Sequence, residues 1–494
     1  MLQSVWDGKI RRDPIGPMMR AKRFARNAVV FCFILALVAG IFAIAAWQPA
    51  LAPISPPPAG SIDSSLIKRG AELAAIGDCG VCHTAPSGRE FAGGVGIQTP
   101  FGTIYSTNIT PDEKTGIGNW SETAFQRAMR HGVRRDGGYL YPAFPYDHFT
   151  LVSDDDDKAL YAFVMTREPV HAIPPANELP FPLNVRLVMA GWNLAFLHPG
   201  PYRADTAHDE NWNRGAYLVE GVGHCGACHT PRNFLGAEKA DQKFAGGEAE
   251  GWTAYALDAS SPAPMPWNAD ALTHYLSLGF ADDHGVARGP MADVASDLRS
   301  ASQDDVRAIA AYVAAQIGDQ GPERPNVAHQ VAVQAARGKT VADTSADNQA
   351  DVKTLRDPHG NDEGAQIYAG ACAGCHEGPR ALPYGGINLA LSSGIAGPSA
   401  NNLINVVLYG LPAAEATHAP IMPGFINAMN DTQLILLARY LRARFTNNLP
   451  WSDIADSVRE ARSAQRAMTA QQAPSPEPAP AGTMQRITDE AQHQ

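Results

Sequence analysis

Cysteine and histidine stand here where they can attach and ligate a redox group. The pattern Cys-x-x-Cys-His occurs three times, at Cys79-Gly80-Val81-Cys82-His83, Cys225-Gly226-Ala227-Cys228-His229 and Cys372-Ala373-Gly374-Cys375-His376, and uses six of the seven cysteines. Two thiols at this spacing can each form a thioether with a vinyl group of haem, and the adjacent imidazole then reaches the iron. One isolated Cys-x-x-Cys pair would fit a structural zinc site or a dithiol redox pair equally well. Zinc, however, needs two such pairs close in sequence, whereas these motifs lie 146 and 147 residues apart and carry a histidine every time. The expectation is three covalently bound haem c groups.

An iron that only relays electrons needs a second axial ligand, and methionine sulfur raises its potential relative to a second histidine. In the third repeat, Met422 of Met422-Pro423-Gly424-Phe425 lies 46 residues beyond His376, just before a predicted helix. In the second, Met291 of Gly289-Pro290-Met291-Ala292 lies 62 residues beyond His229 in the same relation to its helix. Met265, between Pro264 and Pro266, competes with Met291, while Met429 and Met165 read as packing residues. After the first motif no methionine holds that place. His148 is the candidate there, weighed against an ordinary loop histidine.

The elements that must position these residues also repeat. A short opening helix precedes each motif, at Arg69 to Leu73, Arg214 to Leu218 and Gly364 to Tyr368. Each repeat closes on a helix behind a capping residue: Ser153 before Leu160 to Val164, Ser302 before Ile309 to Val313, and Asn430 or Asp431 before Leu437 to Leu441. The expected fold is mainly α, with domains over residues 61–200, 201–318 and 359–448. A polar linker is expected at 319–358 and a disordered Pro/Ala-rich tail at 449–494.

Ala28 to Trp47 is an uncharged apolar run long enough to span a bilayer as a helix, and Cys32 within it reads as a small hydrophobe. Before it, seven Lys and Arg residues oppose only Asp7 and Asp13. That bias keeps residues 1–27 cytoplasmic and sends the rest outward, with 48–60 as a Pro-rich stalk. A cleaved signal peptide is the alternative, because Ala50-Leu51-Ala52 resembles a cleavage site. The whole chain carries −11, and the part beyond the basic end about −16, which argues against a nucleic-acid partner.

The segments resemble class I cytochromes c, so the expected architecture is three tandem domains of that class behind one N-terminal transmembrane helix. The resemblance implies that opening and closing helices cross closely, with Gly70, Gly215 and Gly364 meeting Tyr161, Tyr312 and Tyr440. Met422-Pro423-Gly424-Phe425 is similar to the ligand loop of those proteins. More narrowly, residues 60 to 445 resemble the triple-haem cytochrome c subunits of bacterial membrane-bound dehydrogenases. In the alcohol-dehydrogenase members the first-repeat loop reads Tyr-Pro-Ala-Met-Pro-Tyr, whereas Tyr141-Pro142-Ala143-Phe144-Pro145-Tyr146 puts Phe144 at the ligand's place.

The resemblance implies a periplasmic electron relay in the cell inner membrane that does not itself oxidise the organic substrate. Electrons would come from a catalytic dehydrogenase subunit and leave to membrane quinone or a terminal oxidase pathway. Tyr141 to Thr150 and Leu179 to Asn193 look most like the cytochromes accompanying molybdopterin and iron–sulfur hydroxylases. Quinoprotein alcohol dehydrogenases and flavoprotein sugar or gluconate dehydrogenases are the alternative partners. A peroxidase-like haem enzyme with an open position in the first domain is the alternative of another class.

Overall fold

The computed structural model describes residues 17–319, 321, 323–336, 363–377, 383–412 and 419–472. The molecule is mainly helical, and its short strands form two-residue to four-residue antiparallel hairpins. Helix α1 (Pro17–Ala45) comes first. The first repeat contains α2 (Ser64–Ile76), α3 (Cys79–His83), α4 (Glu122–His131), α5 (Tyr146–Phe149) and α6 (Asp154–Met165), followed by α7 (Val188–Phe196). The second contains α8 (Glu210–Tyr217), α9 (Gly226–His229), α10 (Ala269–Leu278), α11 (Pro290–Asp297) and α12 (Gln303–Ile317). After α13 (Glu323–Ala336) come α14 (Glu363–Ala371), α15 (Ala373–His376), α16 (Ser393–Ala396), α17 (Asn401–Tyr409), α18 (Asp431–Phe445) and α19 (Ile454–Gln472).

The closing helices start where the capping residues stand. The hydroxyls of Ser153 and Ser302 accept from the backbone N–H of Asp156 and Asp305, and Asn430 forms a reciprocal capping box with Gln433. Opening and closing helices then cross at the glycines. A Cβ on Gly70 would collide with the Ala159 carbonyl oxygen and lie 2.7 Å from Phe163 Cβ. Gly215 stands in the same relation to Ala308 and Tyr312, and Gly364 to Leu436 and Tyr440. The aromatic partner of Gly70 is therefore Phe163, not Tyr161, since the two other crossings use the residue four beyond the collided carbonyl. Tyr161 instead donates its hydroxyl to the Trp120 carbonyl at 2.8 Å.

One continuous apolar core spans the first two repeats, from Leu73 and Phe163 to Val219 and Tyr312. The third repeat has its own core around Tyr368, Ile404, Leu437 and Phe445. Three expected irregular segments differ from their expectation, two because they cover apolar surface and one because its backbone is hydrogen-bonded to the first repeat. In the linker, α13 lays Val331 on the third core, and in the tail Trp451 and the α19 residues Ile454, Val458 and Ala461 are buried there. The rest of both expectations, 337–358 and 473–494, lies outside the described residues. The stalk does not stand clear either. Leu51 N–H donates to the Arg135 carbonyl at 2.8 Å and Ile54 N–H to Asn119 at 3.1 Å, laying the chain along the first repeat.

Helix α1 presents Phe31, Phe33 and Ile44 outward, at 61%, 70% and 80% exposure. The side chains of Leu35, Val38 and Ala39 lie outside the described residues, and among those described no helix is long and apolar enough to cross a membrane.

Candidate haem-binding sites

Each Cys-x-x-Cys-His motif forms a single helical turn after its opening helix, the second one behind a π-helical stretch at Leu218–Val222. All seven cysteines are free. Burial pushes the thiols of Cys79, Cys82 and Cys225 up to about 12, and that of Cys372 to about 11. A neutral S–H is the form that adds across a vinyl double bond when a thioether is made.

The histidines are oriented alike. The Nδ1 of His83 lies 2.7 Å from the Thr107 carbonyl oxygen, that of His229 2.6 Å from Tyr255, and that of His376 3.0 Å from Ile387. Burial holds all three below the ordinary histidine range, opposed by these carbonyls, so each ring is neutral. A neutral imidazole that donates from Nδ1 keeps its lone pair on Nε2, the electronic arrangement an axial iron ligand needs. At the third motif a small residue permits the approach: a Cβ at Gly386 would lie 2.5 Å from the His376 Nδ1. The donor set therefore fits haem at all three motifs.

Of the expected sixth ligands, Met291 stands in the first turn of α11 and Met422 in a loop, each before its closing helix. Met291 is half-buried and packs on the joint core. The chain turns into that helix at Gly289 (φ 59°), where a Cβ would lie 2.6 Å from the Trp252 ring. Met422 is half-buried and pairs with Leu411 through two backbone bonds of 2.8 and 2.9 Å. Met429 and Met165 are buried in the cores, and Met265 is half-buried. Phe144 packs on Phe149, with ring centroids 5.2 Å apart.

His148 is placed otherwise than expected of an iron ligand. Its Nδ1 lies 2.7 Å from the Glu220 carbonyl oxygen and its Nε2 2.6 Å from Glu238 Oε1, both in the second repeat. Both partners are acceptors, so with these partners both ring nitrogens donate. Burial opposes the resulting charge, but the Glu238 carboxylate outweighs it and holds the His148 pKa above the ordinary range. His148 joins two repeats.

Sequence reading missed the larger joint beside it. Arg69 reaches Asp156 at 3.1 Å and Asp305 at 3.0 Å, and Arg214 reaches Asp305 at 2.7 Å and Asp156 at 3.8 Å. Tyr217 donates to Asp156 at 2.7 Å. Arg69 and Arg214 each precede a crossing glycine, and Asp156 and Asp305 each stand three residues beyond a capping serine. The four groups are thus two equivalent pairs facing each other about an approximate two-fold. The same relation brings Gly77 against Val222 and Gly223 against Ile76, just before the first two motifs, and His224 Nε2 lies 3.2 Å from the Gly77 carbonyl.

The third motif meets the second instead. Asn402 exchanges two bonds with the backbone of Thr253, at 2.8 and 2.9 Å, and the Tyr255 ring seats against Gly397. The carbonyl of that same Tyr255 orients His229.

No family model matches the chain. Curated relatives do. The fructose dehydrogenase cytochrome subunit of Gluconobacter japonicus is 36% identical over 83% of this chain and 85% of its own length. The gluconate 2-dehydrogenase cytochrome c subunit of Pantoea cypripedii is 37% identical over 87% and 94%. This chain belongs to the cytochrome c subunits of bacterial dehydrogenases. As a cytochrome c subunit it carries haem c and transfers electrons. A nicotinate dehydrogenase subunit of Pseudomonas putida is 44% identical over 84% of this cytochrome, which spans 33% of that longer protein.

Proposed function

We propose that the chain is a three-haem relay which takes electrons from a periplasmic dehydrogenase and passes them to membrane quinone or a downstream respiratory acceptor. The observation that carries this reading is the threefold recurrence of a neutral, carbonyl-oriented histidine beside two free thiols. Haem supplies the Fe(III)/Fe(II) couple. The chain's residues do the rest. His83, His229 and His376 present Nε2, the six motif cysteines fix the porphyrin edges, and Met291 and Met422 offer sulfur in the second and third repeats. Each repeat forms one domain of class I cytochrome c type. The preferred partner is a molybdopterin and iron–sulfur hydroxylase, supported by the higher identity to a nicotinate dehydrogenase subunit and by the loops at Tyr141 and Leu179. Ala28 to Trp47 anchors the chain in the inner membrane, with the haem domains in the periplasm.

Intact mass of the matured protein should show three haem additions that survive denaturing extraction; two, or haem lost on extraction, overturns the count. Affinity purification through this chain should recover a molybdenum protein. A flavin or quinoprotein subunit recovered instead refutes the partner while keeping the relay. A second reading, a catalytic haem in the first repeat, is favoured by Phe144 at the ligand's place and by the full engagement of His148. Carbon monoxide separates the two, because an open reduced iron binds it and a six-coordinate one does not.

A further inference from the structure

Helix α7 is apolar on every side. From Leu179 to Leu197 the only charged residue is Arg186, and its guanidinium lies over the Tyr141 ring, 4.7 Å from the centroid. The inner side of α7 is buried through Met189, Ala190 and Trp192. Its one polar residue, Asn193, is spent on the Tyr146 hydroxyl at 2.7 Å and the His131 carbonyl at 3.1 Å. The outer side carries Val188 and Leu194, with Phe181, Val185 and Leu187 just before it, and Phe181 and Leu194 are more than 80% exposed. A helix apolar all round is one buried on both sides, and among the described residues nothing of this chain covers the outer one.

What covers it is indicated by its neighbour. The end of α1 is docked on α7: the Phe42 ring edge would lie 3.8 Å from a Cβ on Gly191, and Ala46 shares one buried cluster with Met189 and Ala190. The Tyr139 hydroxyl fastens that end by donating to the Ala46 carbonyl at 2.8 Å. The exposed apolar residues Ile41 and Ile44 of α1, and Trp47 two residues past its end, therefore continue onto α7 as one surface. Tryptophan at the end of an apolar helix marks the level of the lipid headgroups, so that level falls at α7.

We propose that the outer side of α7, with Phe181 to Leu187, lies in the interface of the bilayer and seats the first repeat on the membrane. The proposal rests on the anchored reading above and adds a second attachment to it. Arg186 turns inward over Tyr141 and leaves the lipid-facing side without charge, as partition into the acyl boundary requires.

The test uses the full-length haem-loaded chain in phosphatidylcholine vesicles containing a phospholipid with a carbene-generating acyl chain. After photolysis, peptides are read by mass spectrometry. Label on 181–197 as well as on α1 is the expected result, and Leu194→Glu should lower the 181–197 label to that of a water-facing peptide such as 203–209 without changing the α1 label. Label on α1 alone overturns the proposal and leaves the anchor standing. Label on 181–197 alone keeps the proposal and removes the anchor, and label on neither removes both. Repeating the experiment with the dehydrogenase bound separates lipid from protein as the occupant: protection of 181–197 in the complex would make it a subunit interface and overturn the proposal.

Discussion

His148 shows how a residue type legible in the sequence acquires its role from partners that are not. Replacing it with alanine should leave the first-haem spectrum unchanged, because both ring nitrogens are engaged by the second repeat. It should lower stability by roughly 1.5–3 kcal/mol, the worth of hydrogen bonds to a charged group. The sign with pH follows from the raised pKa. The unfolded histidine titrates near 6.5, so the contribution is complete below that pH and disappears as pH rises through the higher folded value. Glu238→Gln should flatten that dependence in chemical denaturation at pH 5.5 and 8.5; an unchanged profile would place the titration elsewhere. Met291→Ala and Met422→Ala should each weaken the sulfur-to-iron absorption band and lower one midpoint potential. Met429→Ala, whose side chain is buried in the third core, should cost stability but leave both readings alone.

The helix crossings are where the pairing implied by the resemblance holds twice and misses once. The three glycines and the capped closing helices were legible because each has a local cause: a donor to be capped, or a backbone approach too tight for a Cβ. Phe163 was not, since Tyr161 and Phe163 both lie on α6 and only the crossing register selects between them. Alanine at an exposed helical glycine normally stabilises by about 1 kcal/mol. Here Gly70→Ala or Gly215→Ala should destabilise by roughly 1–3 kcal/mol, because the methyl group collides with a carbonyl oxygen of the facing helix. Thermal unfolding followed in the far-ultraviolet checks the sign. The helices α13 and α19 escaped notice for a different reason: few of their residues are large and apolar, and α13 turns only Val331 of its three valines to the third core while Val327 and Val333 stay exposed.

At the scale of the molecule, the joint between the first two repeats depends on charges from four separate elements, so no window of sequence reveals it. Burial disfavours the Asp305 carboxylate, but Arg214 and Arg69 outweigh it and hold its pKa below the ordinary range. Its stabilisation is therefore present above about pH 4, the unfolded carboxylate value, and is lost as pH falls through the depressed folded one. Arg69→Gln should cost up to about 3 kcal/mol, the low end for a buried pair because the arginine stays 28% exposed. It should also shift acid unfolding to higher pH. Arg89→Gln, removing an exposed ion pair, should change neither.

The third repeat carries neither half of this joint. Glu363 precedes Gly364 where the others have arginine, and Gln433 stands three residues beyond its cap where they have aspartate, its side chain turned back to the Asn430 N–H. Tandem copies emerging from one chain are prone to dock in the wrong pairs while they fold. Here a mispaired third copy would set Glu363 beside Asp156 or Asp305 and offer no arginine in return. The charges that hold two repeats together thus also act as an address, turning away the one copy whose place is on the other side of the second repeat.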